Sequence, residues 1–199
     1  IIGGRWKRTP LPVSDVPGLR PTPDRVRETL FNWLGQDLTG LRCLDLFGGS
    51  GALGLESASR GAAAVTVVER DRRAAAGIRA AIARLGAREV TLVEGDAMAT
   101  LDGCARRGER FDLVFLDPPF RERWLERVMP RLAPVLAPAA RLYVEHEAAL
   151  DAGTLEALAA AGTGTAPGTG AAGAPGVAGA SRVGASLALA AQRAGKAGQ

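Results

Sequence analysis

The segment Asp45-Leu-Phe-Gly-Gly-Ser-Gly-Ala-Leu-Gly54 combines residue types and spacing that are typical of a ligand-binding turn. It follows an apolar run and opens a helical pattern. Glycines at such a turn let the backbone approach a ligand closely, and the first N–H groups of the following helix attract polar or negative groups. The segment therefore predicts a nucleotide-like ligand at the junction of a strand and a helix.

The glycine spacing alone leaves the ligand open, because Gly49, Gly51 and Gly54 also spell the GxGxxG pattern of dinucleotide-binding proteins. Asp45 favours S-adenosylmethionine over a nicotinamide dinucleotide, since a carboxylate here can face a cationic amino acid moiety and would repel a pyrophosphate. A tight turn without any ligand is the third interpretation. We expect this cofactor to contact Asp45, Phe47, Gly49 and Gly51.

Two further acidic residues follow the next apolar runs. Glu69 ends the second run, where a carboxylate can accept both hydroxyl hydrogens of a ribose. Asp96 follows the third run, where it can accept a hydrogen bond from an adenine amino group. Either residue alone could be a solvated loop acid. In series with the glycine turn, they predict one binding path for an adenosine cofactor.

The tetrapeptide Asp117-Pro118-Pro119-Phe120 directly follows the apolar run Leu-Val-Phe-Leu. It resembles the Asp/Asn/Ser-Pro-Pro-Tyr/Phe motif of methyltransferases that modify exocyclic amino groups of adenine, cytosine or guanine. Such a nitrogen is a poor nucleophile, because its lone pair is delocalised into the ring. Asp117 and the Pro118 carbonyl would accept its hydrogens, the prolines would hold both acceptors rigid, and Phe120 would stack on the extruded base. Otherwise the segment is a proline-stiffened loop.

The elements that position these residues alternate along the chain. Apolar runs predict strands at 42–47, 64–69, 89–93, 111–116 and 140–145. Helical spacing predicts helices at 24–34, from the glycine turn to about residue 60, at 71–85 closed by Gly86, and at 121–132, with a short polar helix before residue 111. The first helix should have Thr22 or Asp24 as its N-cap and Gly35 as its stop. This order predicts an α/β, doubly wound, mostly parallel sheet of the Rossmann-like class I methyltransferase type, with ligands at the carboxyl ends of the strands.

The amino-terminal segment 1–23 is rich in Pro, Gly and Arg and lacks periodicity. We expect an extended basic arm that stays outside the core. The chain has a formal net charge of +4, and the cations near this end could contact a phosphate backbone. A solvated basic surface is the alternative. We expect RNA contacts from Arg5, Lys7, Arg8, Arg20, Thr22, Arg25 and Arg27.

Several segments, in the correct order, resemble the RsmD-type family of methyltransferases, which modify N2 of one guanine in 16S ribosomal RNA. They are IIGGR at 1–5, PGLRPTPDRVRETLFNWL at 17–34, DLFGGSGALGLE at 45–56, the tetrapeptide at Asp117, and Tyr143-Val-Glu145. The resemblance covers about residues 1–158. It implies methyl transfer from S-adenosylmethionine, with 16S rRNA within the assembling small ribosomal subunit as the partner. We expect no metal, because S-adenosylmethionine carries its own leaving group. The resemblance also implies that Arg20, Thr22, Arg25 and Arg27 lie near the RNA or the cofactor mouth.

Three other functions remain open at this point. DNA adenine or cytosine methyltransferases use the same tetrapeptide but usually add a target-recognition region. A nicotinamide-dependent oxidoreductase fits the glycines but not Asp45 or the tetrapeptide. An inactive RNA-binding factor fits only if the segment from residue 159 onward prevents folding. The two cysteines, Cys43 and Cys104, lack metal-ligand spacing. The absence of a long apolar run and of a secretory signal leads us to expect a cytoplasmic protein with no membrane contact. We also expect a monomer.

The composition changes from residue 159 onward, where Gly, Ala, Pro, Ser and Thr dominate and no aromatic residue occurs. Such a segment buries too little apolar surface to fold, so we expect a disordered tail and a sheet without its usual last strands. Its residues are mostly those with GC-rich codons, which suggests a gene read out of frame; a natural disordered extension is the alternative. We thus divide the chain into an arm at 1–23, a methyltransferase domain at 24–158 and a low-complexity tail at 159–199.

Overall fold

The computed structural model describes residues 1–12, 16, 22–119, 123–146, 153, 180–183 and 185–194. The strands in these ranges are β1 (Arg42–Asp45), β2 (Ala64–Glu69), β3 (Val90–Glu94), β4 (Phe111–Leu116), β5 (Leu136–His146), β6 (Ala180–Val183) and β7 (Ala185–Ala194). The α-helices are α1 (Asp24–Leu34), α2 (Ala52–Ser59), α3 (Arg72–Leu85), α4 (Ala97–Arg106) and α5 (Trp124–Leu132). Short 3-10 turns occupy Gly4–Trp6 and Ala133–Val135.

The described strands form one sheet in the order β3-β2-β1-β4-β5-β7-β6, and β1 to β5 are parallel. The chain starts in the middle of the sheet, moves outward to β3, and then crosses to β4 on the other side of β1. The strand order therefore reverses between β1 and β4, which is where doubly wound sheets bind their ligands. The predicted Rossmann-like α/β class is confirmed.

Helices cover both faces of the sheet. Because successive residues of a strand point to opposite faces, Leu113 and Phe115 of β4 pack into one hydrophobic core and Val114 and Leu116 into the other. The first core also contains buried residues of α1, α2 and α3, and the second contains those of α4 and α5. Both cores are rich in aliphatic side chains. Together they hold the sheet in place, and the candidate site lies at the carboxyl ends of its strands.

The predicted helix boundaries agree with the structure where a residue caps or ends the helix. Helix α3 begins after Asp71, whose carboxylate accepts from the N–H groups of Arg73 and Ala74, and Gly86 closes it with a φ of 60°. The predicted cap of α1 is wrong. Its N-cap is Pro23, which makes no side-chain capping bond. Proline lacks a backbone N–H, and its fixed φ suits the entry to a helix.

Strand β5 is longer than predicted, since it starts at Leu136 and not near residue 140. Its pairing with β4 shifts between Phe111 and Leu113, which face Leu136 and Arg141, respectively. Pro138 lies in the shifted part. Proline cannot donate to the ladder, so a strand that contains it needs an irregularity at that point.

The expectation that the sheet lacks its last strands is wrong for the described part of the tail. Strand β7 pairs in parallel with β5, and β6 pairs antiparallel with β7 at the sheet edge. The average composition of the whole tail concealed these two strands. Residues 185–194 taken alone contain neither Gly nor Pro and place Leu187 and Leu189 two residues apart. An extended segment of that kind can satisfy the backbone groups along the open edge of β5.

The amino-terminal arm is also more buried than predicted. Ile1 is only 6% exposed and belongs to the core, and the N–H groups of Ile2 and Gly3 donate to the Glu56 carboxylate at 2.8 and 2.7 Å. Glu56 lies in α2, is 0% exposed, and also accepts from Nε of Arg60 at 2.9 Å. A buried carboxylate thus fastens the start of the arm to α2. No hydrophobic pattern could reveal this contact, since both donors on the arm are backbone N–H groups.

We predict that Glu56→Ala costs about 3–5 kcal/mol of unfolding free energy, because it leaves the buried Arg60 guanidinium without its carboxylate partner and two arm N–H groups without their acceptor. The matched control is Glu126→Ala, since Glu126 is an exposed helical glutamate that also pairs with an arginine, Arg123, at 3.0 Å. We expect the control to cost at most about 0.5 kcal/mol. Denaturant unfolding of the full chain measures both values, and equal losses in the two variants would contradict the proposed anchor.

Candidate functional site

Acidic side chains end or follow four neighbouring strands at one edge of the sheet. Asp45 is the last residue of β1 and Glu69 the last residue of β2, while Asp96 lies two residues after β3 and Asp117 directly after β4. These strands are parallel and adjacent, so their carboxyl ends meet at the same edge. The structure therefore brings together the four acidic residues that the sequence placed in the site.

Glycine is required at two positions where the chain passes from β1 into α2. Gly51 has a φ of 74° and directly precedes α2, and its N–H donates to the Gly48 carbonyl at 2.6 Å. Gly54 lies so close to β2 that an added Cβ would stand 2.5 Å from Cγ2 of Val67. Any side chain at Gly54 would push α2 away from the sheet. The glycine pattern thus sets how closely the helix start approaches the sheet edge.

Glu69 holds this turn in place. Its Oε2 accepts from the N–H of Gly49 at 2.7 Å, and its Oε1 accepts from the N–H of Asp71 at 2.7 Å. An ionised carboxylate offers about four acceptor positions, so these two bonds leave capacity for the hydroxyl groups of a ribose. Glu69 therefore connects the glycine turn to the start of α3, and its contact with a ribose stays a prediction.

Asp45 is a buried carboxylate with one unsatisfied oxygen. It is 1% exposed, and its Oδ2 accepts from the N–H of Gly54 at 3.0 Å. Its Oδ1 has no partner at full hydrogen-bond geometry among the described residues, although the backbone N–H of Phe47 acts on the carboxyl and lowers its pKa. Burial raises the pKa of Asp45 to about 7, and the nearby Glu69 charge acts in the same direction. A cation beside Oδ1 would stabilise the ionised form, so the donor set fits a cationic cofactor and disfavours a pyrophosphate.

Asp96 and Phe47 have structural partners in addition to their predicted roles. Oδ1 of Asp96 accepts from the N–H groups of Met98 and Ala99 at 2.9 and 3.0 Å, so this residue is the N-cap of α4. The ring of Phe47 meets Trp124 edge to face, with 5.2 Å between ring centroids. Contacts of Asp96 with adenine and of Phe47 with the cofactor stay predictions.

The tetrapeptide at the end of β4 is described as far as Pro119. Asp117 is half-buried, Pro118 is buried and Pro119 is exposed. Phe120 lies outside the described residues, so its stacking on a base stays a prediction. The hydroxyl of Thr22 donates to Oδ2 of Asp117 at 3.4 Å. Thr22 thus contacts the carboxylate that the sequence assigned to the reaction, instead of capping α1.

Aromatic packing explains why Thr22 reaches Asp117. Phe31 of α1 packs against Phe115 of β4, with 6.1 Å between ring centroids, and both side chains are fully buried. This contact fixes α1 along β4. Asp117 lies two residues beyond Phe115, at the end of the strand near which α1 begins. The core contact therefore positions Thr22, just before the helix, against Asp117.

Residues predicted to contact RNA occupy different parts of the molecule. The Arg5 guanidinium pairs with Glu89 and lies 4.0 Å from the centre of the Trp6 ring. Glu89 directly precedes β3, so Arg5 is at the amino edge of the sheet, opposite the acidic residues. Lys7 and Arg8 are exposed and follow in the same segment.

The other predicted RNA contacts belong to the start of α1. Arg25 is exposed in the first turn of α1, which follows Thr22. Arg27 is only 6% exposed and pairs with Asp24, and its Nε has no partner among the described residues. Arg20 lies outside the described residues. Of the predicted set, Thr22 and Arg25 are thus the described residues with accessible surface at the end of α1 nearest Asp117.

The sequence analysis assigned no role to one hydrogen-bonded pair of side chains at this edge. The hydroxyl of Tyr143 donates to Oε2 of Glu145 at 3.0 Å, and Glu145 is 8% exposed. Both residues belong to β5, the neighbour of β4. The sequence identified Tyr143-Val-Glu145 only as part of a resemblance, although a spacing of two on a strand already puts both side chains on one face.

Neither a metal centre nor a membrane-spanning helix occurs in the described ranges. There, no group of three or more His, Cys, Asp and Glu side chains is arranged to hold a metal ion, and no helix is long and apolar enough to cross a bilayer. Cys43 and Cys104 are both buried as free thiols.

The parallel sheet, its two helical layers and the glycine turn at the reversal of strand order define a Rossmann-like class I methyltransferase fold. The chain belongs to the family described as conserved hypothetical protein 95, whose model matches residues 1–163. Ribosomal RNA small subunit methyltransferase D of Escherichia coli K12 is 48% identical over 149 residues, which cover 74% of each chain. The protein of the same name from Haemophilus influenzae is 40% identical over 151 residues, which cover 74% of this chain and 78% of that one. The solved structure of the Escherichia coli protein yhhF has a TM-score of 0.67 and 47% identity, and the match covers 75% of this chain and 81% of that one.

Proposed function

We propose that this chain transfers a methyl group from S-adenosylmethionine to the exocyclic N2 of a guanine in 16S ribosomal RNA. The names of the relatives supply the substrate class, ribosomal RNA of the small subunit. The guanine and its N2 come from the family resemblance of the sequence. We further propose that the protein acts in the cytoplasm as a monomer, on RNA within the assembling subunit.

The placement of Asp117 beside the glycine turn is the observation that carries this proposal. Strands β1 and β4 are neighbours, and Asp45 at the end of β1 pairs in register with Phe115. Asp117 follows two residues later, so it stands at the same edge as the turn that would hold the cofactor. A methyl acceptor bound at Asp117 would thus lie next to the cofactor and not across the molecule from it.

The described residues fit S-adenosylmethionine by their chemistry. Asp45 offers a buried carboxylate oxygen for a cationic group, and Glu69, which already accepts from the N–H of Gly49, offers further acceptor positions for ribose hydroxyls. When bound, S-adenosylmethionine supplies an activated methyl group together with its own leaving group. Asp45 and the tetrapeptide argue against a nicotinamide dinucleotide, which shares only the glycine pattern.

The residues of the tetrapeptide supply the remaining chemistry. The Asp117 carboxylate and the Pro118 carbonyl accept hydrogen bonds from the amino group of the base and draw its nitrogen toward tetrahedral geometry. They also stabilise the positive charge that develops on nitrogen as the new N–C bond forms. The nitrogen then loses a proton to water or to Asp117. The Thr22 hydroxyl, bonded to Oδ2, helps to hold the carboxylate in its orientation.

We predict that the affinity for S-adenosylmethionine rises with pH, because the cation prefers the ionised form of Asp45. With a pKa of about 7 in the unliganded protein, Asp45 is mostly neutral at pH 6 and mostly ionised at pH 8. The dissociation constant should therefore be about tenfold higher at pH 6 than at pH 8, with release of a proton on binding at the lower pH. Calorimetric titration in two buffers of different ionisation enthalpy measures both quantities.

Asp45→Asn is the control for the titration of the cofactor's own amino group. It should bind more weakly at pH 8 and lose most of the pH dependence between pH 6 and 8. If wild type and Asp45→Asn show the same pH profile, Asp45 does not face the cofactor.

We predict that Asp117→Ala lowers kcat for methyl incorporation into small-subunit rRNA by about a hundredfold or more, since the amino nitrogen loses a charged acceptor in the transition state. The dissociation constant for S-adenosylmethionine should stay within about twofold, because Asp117 contacts the base and not the cofactor. Tritium transfer from labelled cofactor measures the rate, and calorimetry measures the binding.

The matched control is Asp102→Ala, because Asp102 is a surface aspartate of α4 whose nearest cation is Arg131 at 3.6 Å. It should keep the wild-type rate. Wild-type methylation by Asp117→Ala would refute the mechanism, as would a loss of activity shared by both variants.

A further inference from the structure

Asp117, directly after β4, and Glu145, near the end of β5, lie at the same level on neighbouring strands. Strands β4 and β5 are parallel, and Leu116 pairs in register with Val144. Asp117 and Glu145 are the residues that follow this pair in sequence. Because paired strands lie about 4.8 Å apart, the two carboxylates stand side by side at the catalytic edge.

Both carboxylates also face the same side of the sheet. Tyr143 packs against Phe115 on the face covered by α1, with 6.3 Å between ring centroids. Glu145 lies two residues beyond Tyr143 and receives its hydroxyl hydrogen bond at 3.0 Å. Asp117 lies two residues beyond Phe115 and receives a hydrogen bond from Thr22, just before α1. The two acceptors are thus presented together beneath the start of α1.

We infer that Glu145 selects guanine as the target base by accepting a hydrogen bond from its ring N1–H while Asp117 accepts from its 2-amino group. This inference rests on the proposed function. In guanine the N1–H and the 2-amino group are adjacent donors on the Watson–Crick edge. Two acceptors from adjacent strands match that pair of donors.

Other bases with an exocyclic amino group do not match. In adenine and cytosine the ring nitrogen next to the amino group carries a lone pair and no hydrogen. That nitrogen would meet a carboxylate oxygen, so two acceptors would face each other at a buried position and both would lose their hydrogen bonds with water. Glu145 therefore supplies the discrimination that the tetrapeptide lacks, since Asp117 can bind the amino group of any of the three bases.

Tyr143 makes Glu145 a fixed acceptor. Its ring is held in the core by Phe115, and its hydroxyl orients the carboxylate through Oε2. A buried carboxylate with a fixed orientation rejects a mismatched base more strongly than a mobile surface side chain, because it cannot turn away from the mismatch or regain water. Specificity is thus supported by the aromatic contact between Phe115 of β4 and Tyr143 of β5.

The test compares two substrates that carry the same 2-amino group. One is a 16S rRNA fragment with its target guanosine, and the other has 2-aminopurine riboside at that position, which lacks the N1 hydrogen. For the wild-type protein we expect kcat/KM to favour guanine by about a hundredfold or more. Glu145→Gln presents an amide that can donate to the bare N1, so we expect the preference for guanine to fall about tenfold or more.

Glu109→Gln is the matched control, because Glu109 is a paired carboxylate at the amino edge of β4, bonded to Arg107 at 2.7 Å. It should keep the wild-type preference, and all variants should bind S-adenosylmethionine with unchanged affinity. An unchanged preference in Glu145→Gln would overturn the inference, as would equal rates of the wild type on both substrates. The proposed function fails in a different way, namely if the wild type methylates neither substrate at its 2-amino group.

Discussion

The close approach of the glycine turn to β2 is the constraint on which the rest of the site depends. Gly54 lies against Val67 with no room for a side chain, and Gly49 donates to Glu69. This contact buries Asp45 beneath the start of α2 and keeps its carboxylate away from water. A larger residue at Gly54 would separate helix and sheet and expose that carboxylate. The cofactor end of the site is therefore a consequence of backbone packing.

The acceptor end of the site depends on a second, aromatic contact. Phe115 of β4 packs against Phe31 on α1 and against Tyr143 on β5. One buried ring thus joins α1, which Thr22 precedes, β4, which Asp117 follows, and β5, which contains Glu145. Helix α2 connects the two ends through Glu56, which anchors the start of the arm that leads to Thr22. Buried polar groups and core packing thus fix both halves of the site relative to one sheet edge.

Hydrophobic periodicity and glycine spacing predicted the parallel sheet and the acidic residues at its carboxyl edge, because those features depend on local backbone geometry. Contacts between distant segments could not be predicted in that way. The bonds from the arm to Glu56, the burial of Arg27 and the pairing of Thr22 with Asp117 arise from tertiary packing. Asp96 proved to be a helix cap, a role that its position before an apolar pattern could have indicated. The average composition of residues 159–199 led to a wrong prediction, because it hid a ten-residue stretch able to form β7. The out-of-frame origin of this tail stays a prediction.

The central claim is that this sheet edge binds a cationic adenosyl cofactor and not a dinucleotide. Calorimetric titration of the full chain with S-adenosylmethionine and, separately, with NAD tests it most directly. The proposed site predicts saturable binding of one S-adenosylmethionine per chain and no measurable binding of NAD at the same concentrations. Binding of NAD without binding of S-adenosylmethionine would contradict it, because Asp45 would then tolerate a pyrophosphate beside its buried charge.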